Sequence, residues 1–267
     1  MSASLLPIGA EIERRVRGTP FLVMLDVDGT LAPISPRPEE AEVPVETRRA
    51  IATLARRHGV HVVLVSGRAA ADARRIVSVS HAWVIGNHGC EIIDPEGEST
   101  VDARVAPYRQ AMSQVARRLR TKAAHLAGVI IEDKMWTLSI HFRLANPAVV
   151  PGLRAAVEEA VREPGLRMTE GKMLFEVRPP VMVHKGTAIL GLAQRLGGLS
   201  PDSSLLFAGD DRTDEDAFAA LRTRAPNALT VRVGDESIET AAEFRVAGTD
   251  EMREFLEWLV SVRSTSA

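Results

Sequence analysis

Three short runs constrain the fold of this chain more than any other feature: FLVML (21–25), HVVLV (61–65) and WVI (83–85). They are apolar at nearly every successive position, so they have no face left for water. That is the pattern of strands in a parallel sheet covered by helices on both sides. Between the first two, residues 45–58 carry apolar side chains at helical spacing and end at Gly59, where a C-terminal cap belongs. Strand, helix, strand predicts an α/β core with a parallel sheet. Short β-rich pieces at 90–93 and 99–103 flank the turn signal Asp94-Pro95-Glu96-Gly97.

From about residue 107 the texture changes. A helical stretch to about 127 leads into VIIEDKM and WTLSIHFR, which read as a hairpin. A second helix over about 147–162 is followed by LRMTE and MLFEVRP. Helix, two strands, helix, two strands predicts an antiparallel sheet with its helices on one face. Leu138, Ile140 and Phe142 alternate with Ser139, His141 and Arg143, and Met173, Phe175 and Val177 with Leu174, Glu176 and Arg178. One sheet face is therefore apolar and the other mostly polar. After Pro180 the parallel pattern resumes, with a helix over about 185–196, a strand at 204–208, a helix from 213, a strand at 229–233 and a closing helix from about 250. The expected organisation is a core of residues 1–105 and 181–267 with a lid of residues 106–180 inserted into it. The first 20 residues fit either a packed helix or a loose tail.

Composition narrows the function classes. With 45% hydrophobic and 25% charged residues, the chain has the make-up of an ordinary globular protein. A formal charge of −2 supplies no electrostatic footprint for nucleic acid or anionic lipid. No stretch reaches the roughly 18 apolar residues that suggest a membrane span. The single cysteine, Cys90, excludes an internal disulfide framework and fits a reducing compartment. A cytoplasmic monomer acting on a small molecule, with neither nucleic acid nor membrane as partner, is the expectation.

The chemistry is carried by acids at strand ends. Asp26 and Asp28 follow the first apolar run, at the carboxyl edge where open parallel sheets bind ligands. A calcium loop beginning at Asp26 fails at its sixth position, Leu31 in place of Gly, and at its twelfth, Arg37 in place of Glu. A second acidic stretch, GDDRTDED (209–216), follows the strand at 204–208. There Thr213 and Asp216 have the spacing of a capping box, which places Asp210 and Asp211 before the cap. Carboxylates gathered at one edge require a cation, and an oxygen-only donor set suits Mg2+. Ser66-Gly67-Arg68 brings a hydroxyl and backbone amides to the same edge, and Lys185 opens a helix there with a positive charge. Nucleotide motifs are absent: Gly171-Lys172 continues with Met173, and no GxGxxG or GxSxG occurs. The combination reads as phosphoryl transfer to a carboxylate. A carboxylate about 4 Å from a phosphate dianion meets on the order of 8 kcal/mol of repulsion at an effective dielectric of about 20, so a metal and a lysine are required.

In this order, DVDGT (26–30), Ser66, Lys185 and GDDRTD (209–214) resemble the haloacid dehalogenase phosphatase superfamily. LDVDGTLAPI, SGR (66–68), GNHGCE (86–91), HFR (141–143), EVRPP (176–180), HKG and GDDRTDEDAF look like the trehalose-6-phosphate phosphatases within it. The resemblance implies a Rossmann-like core with an inserted α+β cap of the C2 type, and hydrolysis of trehalose 6-phosphate to trehalose and phosphate. It implies Asp26 as nucleophile, Asp28 as acid and base, and Thr30, Ser66, Gly67 and Lys185 around the phosphoryl group. Mg2+ would be held by Asp26, the Asp28 carbonyl and Asp210, with Asp214 acting through a water and Asp211 as a neighbour. Arg68, Asn87 and His88 on the core, and Glu132, Lys134, Arg143, Glu176 and Arg178 on the cap, match sugar-binding positions. Competing readings are a phosphatase for mannosyl-3-phosphoglycerate or sucrose 6-phosphate, and a receiver-like domain that stores an aspartyl phosphate.

Overall fold

The computed structural model describes residues 2–35, 37–171 and 173–264, so Lys172 lies outside the described residues. In chain order the strands are β1 (Ala3–Ser4), β2 (Phe21–Asp26), β3 (Val60–Val65), β4 (Trp83–Gly86), β5 (Glu91–Ile93), β6 (Ser99–Val101), β7 (Ile130–Asp133), β8 (Leu138–His141), β9 (Arg167–Gly171), β10 (Leu174–Arg178), β11 (Ser204–Gly209), β12 (Leu229–Val233) and β13 (Phe244–Val246). They form a nine-stranded sheet ordered β1-β13-β12-β11-β2-β3-β4-β5-β6 and a four-stranded sheet ordered β7-β8-β10-β9. The chain divides into two compact units, one made of the residues up to Thr100 with those from Val183 onward, the other of Val101–Met182.

Every residue of β2 is buried, and the reason lies in its two neighbouring layers. Phe21, Val23 and Leu25 point into one hydrophobic core, Leu22 and Met24 into a second. β3 divides in the same way, with Val62 and Leu64 on the first side and Val63 and Val65 on the other. The first core is closed by Ala50, Ile51 and Leu54 of one helix (Val45–Ala55), Ala73, Ile76 and Val77 of another (Ala70–Val77), and Met252, Phe255, Leu256 and Leu259 of the last (Thr249–Ser264). The second is closed by Ile189, Leu192 and Ala193 of the helix Lys185–Arg195 and by Ala217, Phe218 and Leu221 of the helix Arg212–Arg224. Full burial of a large apolar side chain contributes roughly 1.5–3 kcal/mol, so the unbroken apolar runs hold both helical layers at once.

From β1 to β4 across this order the pairs are parallel, and β5 turns back antiparallel on β4. From β2 the chain progresses outward through β3 and β4, whereas β11 lies on the other side of β2 and leads to β12 and β13. The switch point therefore falls between β2 and β11, where an open α/β sheet leaves a crevice at its carboxyl edge. The N-terminus supplies an edge strand, β1 beside β13, and a short helix (Ala10–Arg15), with Leu5, Ile12 and Val16 buried against the first core.

In the second unit every strand pair is antiparallel. Leu138, Ile140, Phe175 and Val177 pack with Met112, Val115 and Leu119 of the helix Arg109–Ala123 and with Leu153 and Val157 of the helix Val150–Arg162. The register opposes Glu176 to Ser139 and Ser139 to Glu132, placing these three on the other face. Among the described residues no helix is long and apolar enough to cross a membrane.

Candidate active site

Register delivers the acids. Leu25 pairs with Ala208 and Asp26 with Val65, so Asp26 lies beside Gly209 on one flank and one step before Ser66 on the other. Asp210 is the next residue out of β11. The chain then turns sharply: Gly29 N–H donates to the Ala32 carbonyl at 2.7 Å, and Leu31 N–H to the Val27 carbonyl at 3.0 Å. Gly29 has φ +88, and a Cβ there would stand 2.1 Å from Asp210 Oδ2. Only glycine combines that left-handed backbone with so close an approach of the second acidic loop.

Asp26 is 4% exposed and Lys185 2%. Lys185 Nζ donates to Asp26 Oδ1 at 2.7 Å and to Asp214 Oδ1 at 2.8 Å, and stands 4.0 Å from Asp211 Oδ1. The other oxygen of Asp26, Oδ2, is buried with no hydrogen-bond partner, and so is the Thr30 hydroxyl. Burial pushes the Asp26 carboxyl well above its ordinary value, and Asp210 and Asp211 add to the rise against the pull of Lys185. Asp214 is raised for the same reason, by burial and then by Asp26 and Asp211. Asp210 is pushed up to about 7 by burial and by the charges of Asp214 and Asp211. Lys185 loses by burial but is held firmly protonated by Asp214 and Asp26. One ammonium is thus shared among several carboxyl groups, which raise one another's pKa because it cannot neutralise them all.

Oxygen atoms of Asp26, Asp210 and Asp214 lie within 4.8 Å of one another. An all-carboxylate set with one unpartnered buried oxygen fits a hard divalent cation. Asp28 contributes no side-chain oxygen to this group.

The helix Arg212–Arg224 starts one residue before the predicted position, and this changes the cap. Asp211, not Thr213, is the N-cap: Oδ1 accepts from Thr213 N–H at 2.8 Å and from Asp214 N–H at 3.1 Å. Asp214 is the N3 partner, and its Oδ2 accepts from the Asp210 and Asp211 N–H groups at 3.1 Å. The Thr213–Asp216 box is corrected to Asp211–Asp214, because the helix starts at Arg212 and the Asp211 carboxylate folds back onto the free amides of Thr213 and Asp214. Burial works against ionisation of Asp211, yet Lys185 and the hydrogen bonds from Asp214 and Thr213 hold it below the ordinary carboxylate range. Glu215, which sequence reasoning explains only as an acid in the first turn of the helix, accepts from Arg232 Nη1, Thr240 Oγ1 and Ala241 N–H at 2.7, 2.7 and 2.8 Å, tying down the loop after β12.

Ser66 is 1% exposed, and its Oγ accepts from Arg68 N–H at 3.1 Å. Asn87 N–H donates to the Arg68 carbonyl at 2.7 Å and His88 N–H to the Ser66 carbonyl at 3.1 Å, so the turn after β4 braces the loop after β3. Gly67 lies under the His88 ring, 2.5 Å from Cε1 to where a Cβ would be. The Asn87 amide donates to Glu91 Oε1 at 2.6 Å. Arg68 is 9% exposed and grips Asp28, Nε to Oδ2 and Nη2 to Oδ1 at 2.7 Å each, while Nη1 donates to Asp72 at 3.0 Å. Burial opposes the guanidinium charge, but Asp28 and then Asp72 raise its pKa above the ordinary value. Asp72 was not among the predicted residues, although its i,i+4 spacing from Arg68 at a helix start was a readable signal.

On the polar face of the second unit, Lys134 Nζ donates to Glu176 Oε1 at 3.2 Å, Arg178 donates to Glu176 Oε2, and His141 Nε2 is 3.0 Å from Glu132 Oε2. Lys134 and Glu176 are buried at 6% and 7% exposure, and Arg143 is exposed. The predicted residues thus fall into two groups: Asp26, Asp28, Thr30, Ser66, Gly67, Arg68, Asn87, His88, Lys185, Asp210 and Asp214 belong to the first unit, and Glu132, Lys134, Arg143, Glu176 and Arg178 to the second.

A parallel sheet with acids on both flanks of its switch point and an α+β insertion is the fold of the haloacid dehalogenase-like hydrolases. The trehalose-phosphatase family profile matches residues 24–250, and the chain belongs to that family. Trehalose-phosphate phosphatase B of Arabidopsis thaliana is 30% identical over 260 residues, covering 94% of this chain and 69% of the plant protein. The solved structure of a trehalose-6-phosphate phosphatase related protein superposes with a TM-score of 0.81 at 29% identity, covering 92% of this chain and all of its own, 100%. An uncharacterized glycosyl hydrolase of Mycobacterium tuberculosis is 32% identical over 257 residues, which is 95% of this chain but 19% of that protein. The chain therefore spans about a fifth of the length of that mycobacterial relative.

Proposed function

We propose that the chain is a Mg2+-dependent phosphatase that hydrolyses trehalose 6-phosphate to trehalose and phosphate through an aspartyl phosphate on Asp26. The observation that carries this reading is the buried, unpartnered Oδ2 of Asp26, whose twin oxygen is fixed by Lys185. In the first step Asp26 Oδ2 bonds to phosphorus as the bond from phosphorus to the sugar oxygen breaks, and Asp28 gives that oxygen a proton. In the second, water bonds to phosphorus and loses its proton to Asp28 as the bond from Asp26 to phosphorus breaks. Lys185 orients Asp26 and offsets the dianion, and the hydroxyls of Thr30 and Ser66, with Gly67, receive phosphoryl oxygens. Asp26, Asp210 and Asp214, with the Asp28 main-chain carbonyl, would hold Mg2+, which supplies positive charge where two anions must meet.

Sugar recognition is assigned to Glu132, Lys134, Arg143, Glu176 and Arg178 of the second unit, since hydroxyl groups are recognised by mixed donors and acceptors such as these. The family membership and the names of the relatives favour trehalose 6-phosphate over other sugar phosphates. A cytoplasmic monomer is part of the proposal; the lone, buried cysteine fits the reducing compartment. The test is phosphate release by the purified protein with Mg2+ from trehalose 6-phosphate, sucrose 6-phosphate and mannosyl-3-phosphoglycerate. Release from the first, lost on chelation and restored by Mg2+, is expected. Release from either of the others but not from the first contradicts the substrate.

A further inference from the structure

We propose that Glu215 is a positioning residue for the cation site: through Arg232, Thr240 and Ala241 it fixes the rotation of the helix Arg212–Arg224, and with it the side chains of Asp210 and Asp214. The inference rests on the reading of Asp26, Asp210 and Asp214 as the cation's ligands given above. Asp26, Gly209 and Arg232 lie side by side on β2, β11 and β12, since Ala208 pairs with Leu25 and Gly209 with Arg232. Leu25, Ala208 and Val231 point into the first core, so the next residue of each strand faces the other side. The middle position of that row has no side chain, and the Asp214 carboxyl fills the space: a Cβ on Gly209 would stand 2.3 Å from Asp214 Cγ.

The hydrogen bonds among Asp210, Asp211, Thr213 and Asp214 tie the acidic loop only to its own helix. Ala217, Phe218 and Leu221 hold that helix down on the sheet, but apolar contact has no direction. Glu215 supplies it. It follows Asp214 by about 100° around the first turn and meets both β12 and the segment ahead of β13. Oε1 accepts from Arg232 Nη1 and Thr240 Oγ1, and Oε2 from Ala241 N–H. Thr240 is held in turn, its Oγ1 accepting from Ala242 N–H at 3.1 Å. Arg232 is 5% exposed, and its Nε is buried with no hydrogen-bond partner among the described residues. An unsatisfied buried donor costs stability, and a buried ion pair often stabilises no more than apolar side chains of similar size. The pair is explained by what it orients. A rotation of the helix by about 10° moves a side-chain end about 5–6 Å from its axis by about 1 Å. Asp210 moves with Asp214, because its N–H is bonded to Asp214 Oδ2. Mg2+ demands near-octahedral oxygens at about 2.0–2.1 Å, so that displacement spoils the ligand set while leaving the fold intact.

Glu215→Ala removes all three bonds, Glu215→Gln keeps an acceptor but loses the charge, and Thr240→Val removes one donor. Arg263→Met is the control: it deletes another buried arginine, whose Nη1 donates to the Arg17 carbonyl at 2.9 Å, and so loosens the fold outside the acidic loop. The probe is Mn2+ alone, an ion that takes the octahedral oxygen sites of Mg2+. It is titrated into the metal-free, substrate-free protein and followed by the loss of its free-ion paramagnetic resonance signal. The dissociation constant should rise about tenfold or more in Glu215→Ala, the scale seen for residues that orient metal ligands. In Glu215→Gln and Thr240→Val it should rise by about two- to fivefold, and in Arg263→Met it should stay within about twofold. Uptake that Glu215→Ala leaves unchanged makes Glu215 a merely structural clasp and overturns the proposal. A loss in Arg263→Met as large as that in Glu215→Ala shows general loosening and overturns it too. Should Glu215→Ala fail to fold, unchanged affinity in both of the milder variants is the contrary result. Unmodified protein that takes up no Mn2+ contradicts the cation site itself, a different failure from that of Glu215. The titration needs no substrate, so it stands whichever sugar phosphate is hydrolysed.

Discussion

Asp26 and Asp28 leave one strand end into different surroundings, and their chemistry divides accordingly. Asp26 is buried between Lys185 and the acids of the loop after β11, while Asp28 sits on the turn in the grip of Arg68. The tight turn is as important as the acids. Gly29→Ala would place a methyl carbon against Asp210 on a left-handed backbone, which alone costs about 1–2 kcal/mol. The expected outcome is a higher Mg2+ requirement and a loss of kcat of tenfold or more, on the order of 1.4 kcal/mol or above, read from phosphate release at rising Mg2+. Unchanged Mg2+ dependence would separate Gly29 from the acid cluster. Asp28→Asn should lower steady-state turnover by about 10²–10⁴, and undiminished hydrolysis would remove its role in proton transfer.

At the scale of elements, legibility followed the physics of each signal. Apolar runs that fill two cores at once have one explanation, so β2, β3 and β4 were readable, and so was the alternation on β8 and β10. β1 was not, because two exposed residues joining the edge of a sheet carry no periodicity. Residue types and order led to Asp26, Lys185 and Asp214, but no one-dimensional pattern reveals that Arg68 reaches Asp28 across 40 positions of chain. The acidic run 209–216 was ambiguous because several acids could serve as cap, and only the helix start decides. Asp211 therefore has a structural duty besides its place near Lys185. Asp211→Ala should cost about 0.5–2 kcal/mol of stability, measured by urea unfolding, and a change well below that range would show that Asp214 alone suffices to hold the helix start.

For the whole molecule, the crowding of Asp26, Asp210 and Asp214 at the carboxyl edge predicts that the folded chain is stabilised by a divalent cation. At Mg2+ a hundredfold above its dissociation constant the gain is about 2.7 kcal/mol, seen as a melting temperature that climbs with Mg2+ and falls back on chelation. A melting temperature indifferent to Mg2+ would mean that Asp26, Asp210 and Asp214 do not form a cation site. The central claim is that phosphorus passes through a covalent bond to Asp26. Its most direct measurement is rapid acid quenching of the Asp28→Asn protein after mixing with Mg2+ and trehalose 6-phosphate labelled in its phosphoryl group, followed by peptide mapping. The account predicts an acid-stable, base-labile phosphoryl group on the peptide containing Asp26, absent when Asp26→Asn is added. Label on a different peptide, or rapid phosphate release with no labelled peptide at any time, would contradict it.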